Sequence, residues 1–206
     1  MNEKLKRAPM KKRMVGLNII VATALVIFPH QASAGAPLET IQTQVNEVLD
    51  VLRDSALKDE SAKKDRIWSI IDSIFDYVEL SRRTLGRNWK KLSPVQQEEF
   101  SDLFSKHLRN VYIDRILGYK DEQVVFHKER MLSEKKAEVQ SKILTGSKEI
   151  PTYYRMIVKN GEWKVYDVVI EGVSLVKNYR SQFKEILKKK TPEDLLEILR
   201  KKVGKA

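Results

Sequence analysis

An α+β fold is expected for this chain: a four-stranded, twisted antiparallel meander packed with N-terminal and C-terminal helices around an apolar interior. Three observations predict it. Apolar residues recur with a period near 3.6 as far as Gly118. The period then drops to 2 through four runs joined by short polar or glycine-containing turns. Helical spacing returns after Ser174. The turns are too short for crossovers, so the strands must run antiparallel, and helices, meander and helices without an internal repeat make one domain.

Each element has its own signal. PLETIQTQVNEVLDVLRD, residues 37–54, sets Ile41, Val45, Val48, Leu49 and Leu52 on one stripe and reads as the first helix. The polar stretch SALKDESAKKD follows. In RIWSIIDSIFDYVELSRRTLG, residues 66–86, Ile67, Ile70, Ile71, Ile74, Phe75 and Val78 repeat at helical spacing, which predicts a single amphipathic helix capped by Gly86. Ser93 as N-cap and Pro94 at the first helical position start another over 93–120, with Phe100, Leu103, Phe104, His107, Leu108 and Val111 inward. The strands are EQVVFHKERML, KKAEVQSKILTG, IPTYYRMIVKNG and EWKVYDVVIEGV. Asn160-Gly161 is a hairpin dipeptide that tolerates positive φ at both central positions. SLVKNYRSQFKEILKKK and TPEDLLEILRKKV close the chain as helices, the second opened by Thr191, Pro192, Glu193 and Asp194.

The N-terminus bounds the compartment. Lys4, Lys6, Arg7, Lys11, Lys12 and Arg13 precede an apolar run from Met14 to Phe28, and Ala32-Ser33-Ala34 supplies the small-residue pattern of a cleavage site. This predicts a Sec signal peptide over 1–34 and a mature domain over 35–206. The apolar run, about 15 residues, falls short of the roughly 20 a spanning helix needs. With no cysteine, the chain has no lipoprotein anchor and no disulfide. The formal charge is +11, but six of the 39 basic residues and one of the 28 acidic ones lie within 1–34, leaving 33 against 27. That mild balance suits a solvated surface, and export argues against nucleic acid as a partner.

Catalysis finds little to work with. Beyond residue 34 there are two histidines, His107 and His127, and no thiol, HExxH, GxSxG or glycine-rich phosphate loop. His107 falls on an apolar stripe and His127 on a solvated strand face. Asp72 with Asp76, and Asp167 with Glu171, stand at same-face spacings, yet neither pair has a nucleophile or metal-ligand cluster beside it. No enzyme and no metal site are expected.

Apolar distribution is the informative feature. Ala137, Val139, Ser141 and Ile143 alternate with Glu138, Gln140 and Lys142, so one face of the second strand is wet. Tyr154, Met156 and Val158 oppose Tyr153, Arg155, Ile157 and Lys159. In the fourth strand the alternation puts Tyr166, Val168 and Ile170 on one face and Trp163, Val165 and Val169 on the other, a strand covered on both sides. Periodicity alone favours helices covering both faces.

The run LSRRTLGRNWKKLSPVQQEEFSDLFSKHLRNVY, followed by WKVYDVVIEGVSLVKNYRSQF, resembles the MlaC family of periplasmic phospholipid-binding proteins, also called the toluene-tolerance family. Leu85-Gly86 with Trp89, Leu92-Ser93 with Gln97 and Phe100, Tyr166-Asp167, and Glu171-Gly172-Val173-Ser174 leading to Tyr179 and Phe183 carry the likeness.

The resemblance implies a soluble, monomeric periplasmic carrier without cofactor, whose cargo is phospholipid held in an apolar cavity between sheet and helices. It further implies exchange between an inner-membrane ABC transporter complex and an outer-membrane lipoprotein or porin partner, in the service of outer-membrane maintenance and solvent tolerance. The lipid would lie on Val139, Ile143, Tyr154, Met156, Val168 and Ile170, roofed by Ile71, Phe75, Phe104, Leu108 and Tyr179. Arg82, Arg83 and Arg87 are the expected headgroup or partner contacts. A hopanoid carrier and a non-catalytic envelope adaptor with a filled core are the alternative readings.

Overall fold

The computed structural model describes residues 36–119 and 121–204, and the expected signal segment over 1–34 lies outside them. In chain order the elements are α1 (Pro37–Arg53), α2 (Glu60–Ile74), α3 (Tyr77–Leu85), a 3-10 helix (Gly86–Lys91), α4 (Pro94–Leu117), β1 (Gln123–Ser133), β2 (Lys136–Leu144), β3 (Glu149–Lys159), β4 (Glu162–Ile170), β5 (Val173–Ser174), α5 (Leu175–Leu187) and α6 (Pro192–Val203). The strands form one sheet in sequence order, antiparallel throughout. The α+β meander is as expected, with a short fifth strand added. Glu171 and Gly172, at φ 49 and 80, make a tight turn that folds Val173–Ser174 back onto β4. Asn160 and Gly161, at φ 52 and 83, make the hairpin turn their sequence predicts.

The single helix expected over 66–86 is in fact two. Its apolar spacing is continuous, but the backbone becomes extended at Phe75 and stays non-helical at Asp76. Phe75 bridges Val165 of β4, and the Asp76 N–H donates to the Val165 carbonyl at 2.9 Å. The break costs little because both new ends are satisfied. The Phe75 N–H closes α2 on the Ile71 carbonyl, and the Asp76 carboxylate caps α3 through the Glu79 N–H at 3.0 Å. Lys159 meets the same carboxylate at 2.8 Å. At its other end α2 starts within the expected polar stretch, where Asp59 accepts the Ser61 N–H.

A bulge corrects the facing of β4. Arg155 pairs with Asp167 but Met156 pairs with Val165, so Tyr166 is the extra residue. Strict alternation fails there. Trp163 and Val165 therefore share the face of Val168, Tyr154 and Met156, while Tyr166 turns to the other side, where Arg83 lies 3.9 Å over its ring. Glu138, expected on a wet face, is buried beneath Arg155, 3.3 Å away.

Two apolar cores result. One is helical, built from α3, the 3-10 helix, α4, α5 and α6, and centred on Phe100, Phe104, Tyr179, Phe183 and Leu196. Edge-to-face contacts join its rings, with Phe104 and Tyr179 centroids 5.0 Å apart. The other lies on the sheet face under α1, where Ile41 and Ile74 meet Ala137, Val139, Met156, Trp163 and Val165.

Asp167 ties the sheet to the helical layer. Its buried carboxylate accepts the Ser174 hydroxyl at 2.7 Å, the Val176 N–H at 3.0 Å and Arg155 at 3.1 Å. Replacing it leaves the Ser174 and Val176 donors buried and unpaired and takes one of two carboxylates from half-buried Arg155, so Asp167→Ala should lower the unfolding free energy by about 3 kcal/mol in a urea titration. A loss below about 1 kcal/mol would contradict this role.

His107, 3.4 Å from the Tyr179 hydroxyl, is held below its ordinary pKa of 6.5 by burial and by the charge of Lys202. The unfolded imidazole therefore takes up its proton first as pH falls through about 6.5, and stability declines until the folded group titrates. His107→Gln should flatten the fall in melting temperature between pH 7 and 5, and an unchanged slope would assign it to other groups.

Candidate functional site

Where the two cores meet, a strip of apolar side chains belongs fully to neither. Phe75 packs against both cores from the end of α2. Beside it, Ile71 is half-buried, and Tyr77 stacks on the Phe75 ring at 5.6 Å. On the sheet, Tyr154 pairs with Val139 on one side and Val168 on the other, and Phe126 stacks on its ring at 6.3 Å. Tyr154, Val168 and Ile143 are half-buried, and Ile170 is 39% exposed. The second half of α4 completes the margin with half-buried Tyr112, Ile113, Ile116 and Leu117. Tyr119, just past its end, interacts with Tyr154 and Glu171. Half-covered apolar side chains along a sheet face suit another apolar body.

Electrostatics keep the strip uncharged. Burial pushes the Tyr154 phenol up to about 12, against a weaker opposing hydrogen bond with Ser141. It likewise raises Tyr179 to about 12. Tyr77 is raised by burial first and by the Asp72 carboxylate next, to which its hydroxyl donates at 2.8 Å. Asp72 also takes an ion pair from Arg109, whose guanidinium lies 5.8 Å over the Trp68 ring. This group clasps α2 to α4 along the strip, and the buried Arg109 Nε has no partner. An open recess of about 490 Å³ between Leu49 and Val124 is lined mainly by Asn46, Arg53, Asp121 and Gln123, too polar for acyl chains.

The residues singled out from sequence divide between these parts. Phe104, Leu108 and Tyr179 sit in the helical core, and Val139 and Met156 in the sheet core. Ile71, Phe75, Ile143, Tyr154, Val168 and Ile170 lie on the strip. Arg82, Arg83 and Arg87 do not join them: the first two bind Glu79 at the end of α3, and Arg83 covers Tyr166, on the sheet face away from Tyr154. The carboxylates considered for catalysis are all engaged elsewhere. Asp72 is in the clasp, Asp76 in a cap, Asp167 in the α5 junction, and Glu171 faces Lys148 at 3.7 Å.

Sequence reasoning missed the clasp and the α4 margin. Arg109 lies between Leu108 and Asn110 with no local signal, and only the break at Phe75 brings Asp72 and Tyr77 to it. Among the described residues no helix is long and apolar enough to cross a membrane, and no acidic or histidine cluster is fit for a metal ion.

Comparison with known proteins matches residues 42–201 to the MlaC protein family. The toluene tolerance protein ttg2D of Pseudomonas putida is 23% identical over 171 residues, 80% of each chain. The intermembrane phospholipid transport system binding protein MlaC of Haemophilus influenzae is 21% identical over 193 residues, 90% of each. A phospholipid-binding protein from Ralstonia solanacearum, solved in complex with a phospholipid, shares the fold with a TM-score of 0.72 at 23% identity, over 82% of this chain and 97% of that one. The family match runs unbroken from α1 into α6, through the motifs that set the helical core and the β4–α5 junction, and this chain belongs to the MlaC family.

Proposed function

We propose that this chain is a periplasmic phospholipid carrier and not a catalyst. The observation that carries the reading is the half-covered apolar strip around Phe75, Tyr154 and Val168, lying between two well-filled cores. Relatives named for phospholipid binding and intermembrane transport, and the phospholipid complex of a protein of the same fold, support it. The signal peptide is cleaved after Ala34, and the mature monomer moves lipid between an inner-membrane ABC transporter complex and an outer-membrane partner.

The physics needs no reacting group. A two-chain lipid has about 30 methylenes at about 0.8 kcal/mol each, so on the order of 24 kcal/mol opposes its passage through water. A carrier offsets that cost by lining the chains with apolar surface. Its advantage over a membrane must stay small, because the cargo has to leave again. Ile71, Phe75, Ile143, Tyr154, Val168 and Ile170 contact the acyl chains, with Val139, Met156, Phe104, Leu108 and Tyr179 as the walls behind them.

Native mass spectrometry of the mature protein purified without detergent, followed by solvent extraction, should find phospholipid at fixed stoichiometry. A clean apo mass that persists after incubation with phospholipid vesicles would replace the carrier with an adaptor, and extracted hopanoid would change the cargo. Val168→Glu places a charge against the chains, and should cut bound phospholipid at least tenfold while the circular dichroism stays native.

A further inference from the structure

We propose that the surface formed by the end of α3, the turn after it and the outer stripe of α5 is a docking site for a protein that presents clustered Asp and Glu carboxylates. Lys177, Arg180 and Lys184 follow one another at i, i+3 and i+7, a single exposed stripe of α5. The Arg180 guanidinium donates twice to the Arg83 carbonyl, through Nε at 2.9 Å and through a second, shorter bond. That contact lays the stripe against Arg82, Arg83 and Arg87. Six cations thus share one region with two acids that are already engaged, Glu79, which binds Arg82 and Arg83 at 2.7 Å, and Glu185, which binds Lys188 at 2.7 Å.

The α4–α6 surface is built differently. Arg200 is held by Glu99 and Glu193, Lys106 by Asp102, and Lys201 by Glu197, so cations and acids alternate there. A solvated surface would be expected to follow that pattern throughout. On the α3–α5 surface, Arg87, Lys177 and Arg180 enter no ion pair among the described residues, and Lys184 stands beside Glu185, which Lys188 already binds.

Rigidity distinguishes a protein partner from a membrane. Arg83 is fixed by Glu79 and by the Tyr166 ring 3.9 Å beneath it, Arg82 by two bonds to Glu79, and Arg180 by the Arg83 carbonyl. An anionic bilayer attracts mobile lysines as well as fixed arginines, whereas planar guanidinium forks held in place suit carboxylates at set positions. No large apolar side chain among the described residues of α5 or the end of α3 is exposed for insertion into lipid. The surface lies on the side of the sheet away from the strip, so docking leaves the cargo face free. Such a contact is steered by charge and weakens with salt. The proposal goes beyond the carrier reading and does not depend on the cargo.

The test places a photo-crosslinking phenylalanine at Lys184 in the full-length chain, expressed in its own host and irradiated in intact cells. One protein should be trapped, through a peptide rich in Asp and Glu, and the same probe at Lys128 on the far edge strand β1 should not trap it. Combining Arg87→Glu with Lys177→Glu and Lys184 left as the probe should reduce the adduct at least tenfold, while phospholipid bound per chain stays within twofold. Adducts with envelope lipid alone, no protein adduct, or a protein adduct that survives the reversal would each overturn the proposal. A protein lacking bound lipid yet still trapped would overturn the carrier reading and leave this one standing.

Discussion

The fold depends on two non-helical residues in the middle of a helical sequence. Phe75 and Asp76 leave the helix to bond Val165 of β4, and that single junction orients α1 and α2 on one side and α3 on the other. Had the helix continued, its apolar stripe would have packed into one core. With the break, Ile74 serves the sheet, Leu80 and Leu85 serve the helices, and Phe75 stands between. The Asp76 cap and its pairing with Lys159 stabilise the junction by satisfying groups that a broken helix exposes.

The apolar strip on which the proposed carrier function rests follows from this division. A chain that filled one continuous core would have nothing left to cover, whereas two cores joined at one residue leave apolar side chains half-covered between them. The clasp of Asp72, Arg109 and Tyr77 then bounds the strip with polar groups bonded to one another, apart from the Arg109 Nε. Charge sits at the margins, neutral phenols within. Both features favour holding acyl chains over water, and neither offers a group that would react with them.

Much of this was legible in the sequence because much of it is local. The period change after Gly118 gave the meander, Ser93-Pro94 and Thr191-Pro192 gave helix starts with full capping boxes, and Asn160-Gly161 gave a hairpin. The family motifs also have structural explanations: Gln97 donates to the Trp89 and Leu92 carbonyls, Gly86 sits at φ 57, and Ser174 both caps α5 and binds Asp167. Illegible parts depended on distant partners. Nothing near Phe75 announces a break, because its apolar spacing is helical and only Val165, 90 positions away, makes extension favourable. The bulge at Tyr166 is likewise invisible to alternation, which therefore put Trp163 and Val165 on the wrong side. Charge alone marked Arg82, Arg83 and Arg87 as headgroup or partner contacts, and the fold sets Arg83 over Tyr166, on the sheet face away from Tyr154.

The central claim is that acyl chains lie along the strip and not inside either core. The most direct measurement is methyl NMR of the mature protein loaded with a phospholipid that carries a nitroxide on one acyl chain. The account predicts strong broadening of the Ile71, Ile143 and Val168 methyls, with those of Leu196 and Leu199, deep in the helical core, unaffected. Broadening centred on Leu196 and Leu199, or none at Ile71 and Val168 in a loaded sample, would contradict it.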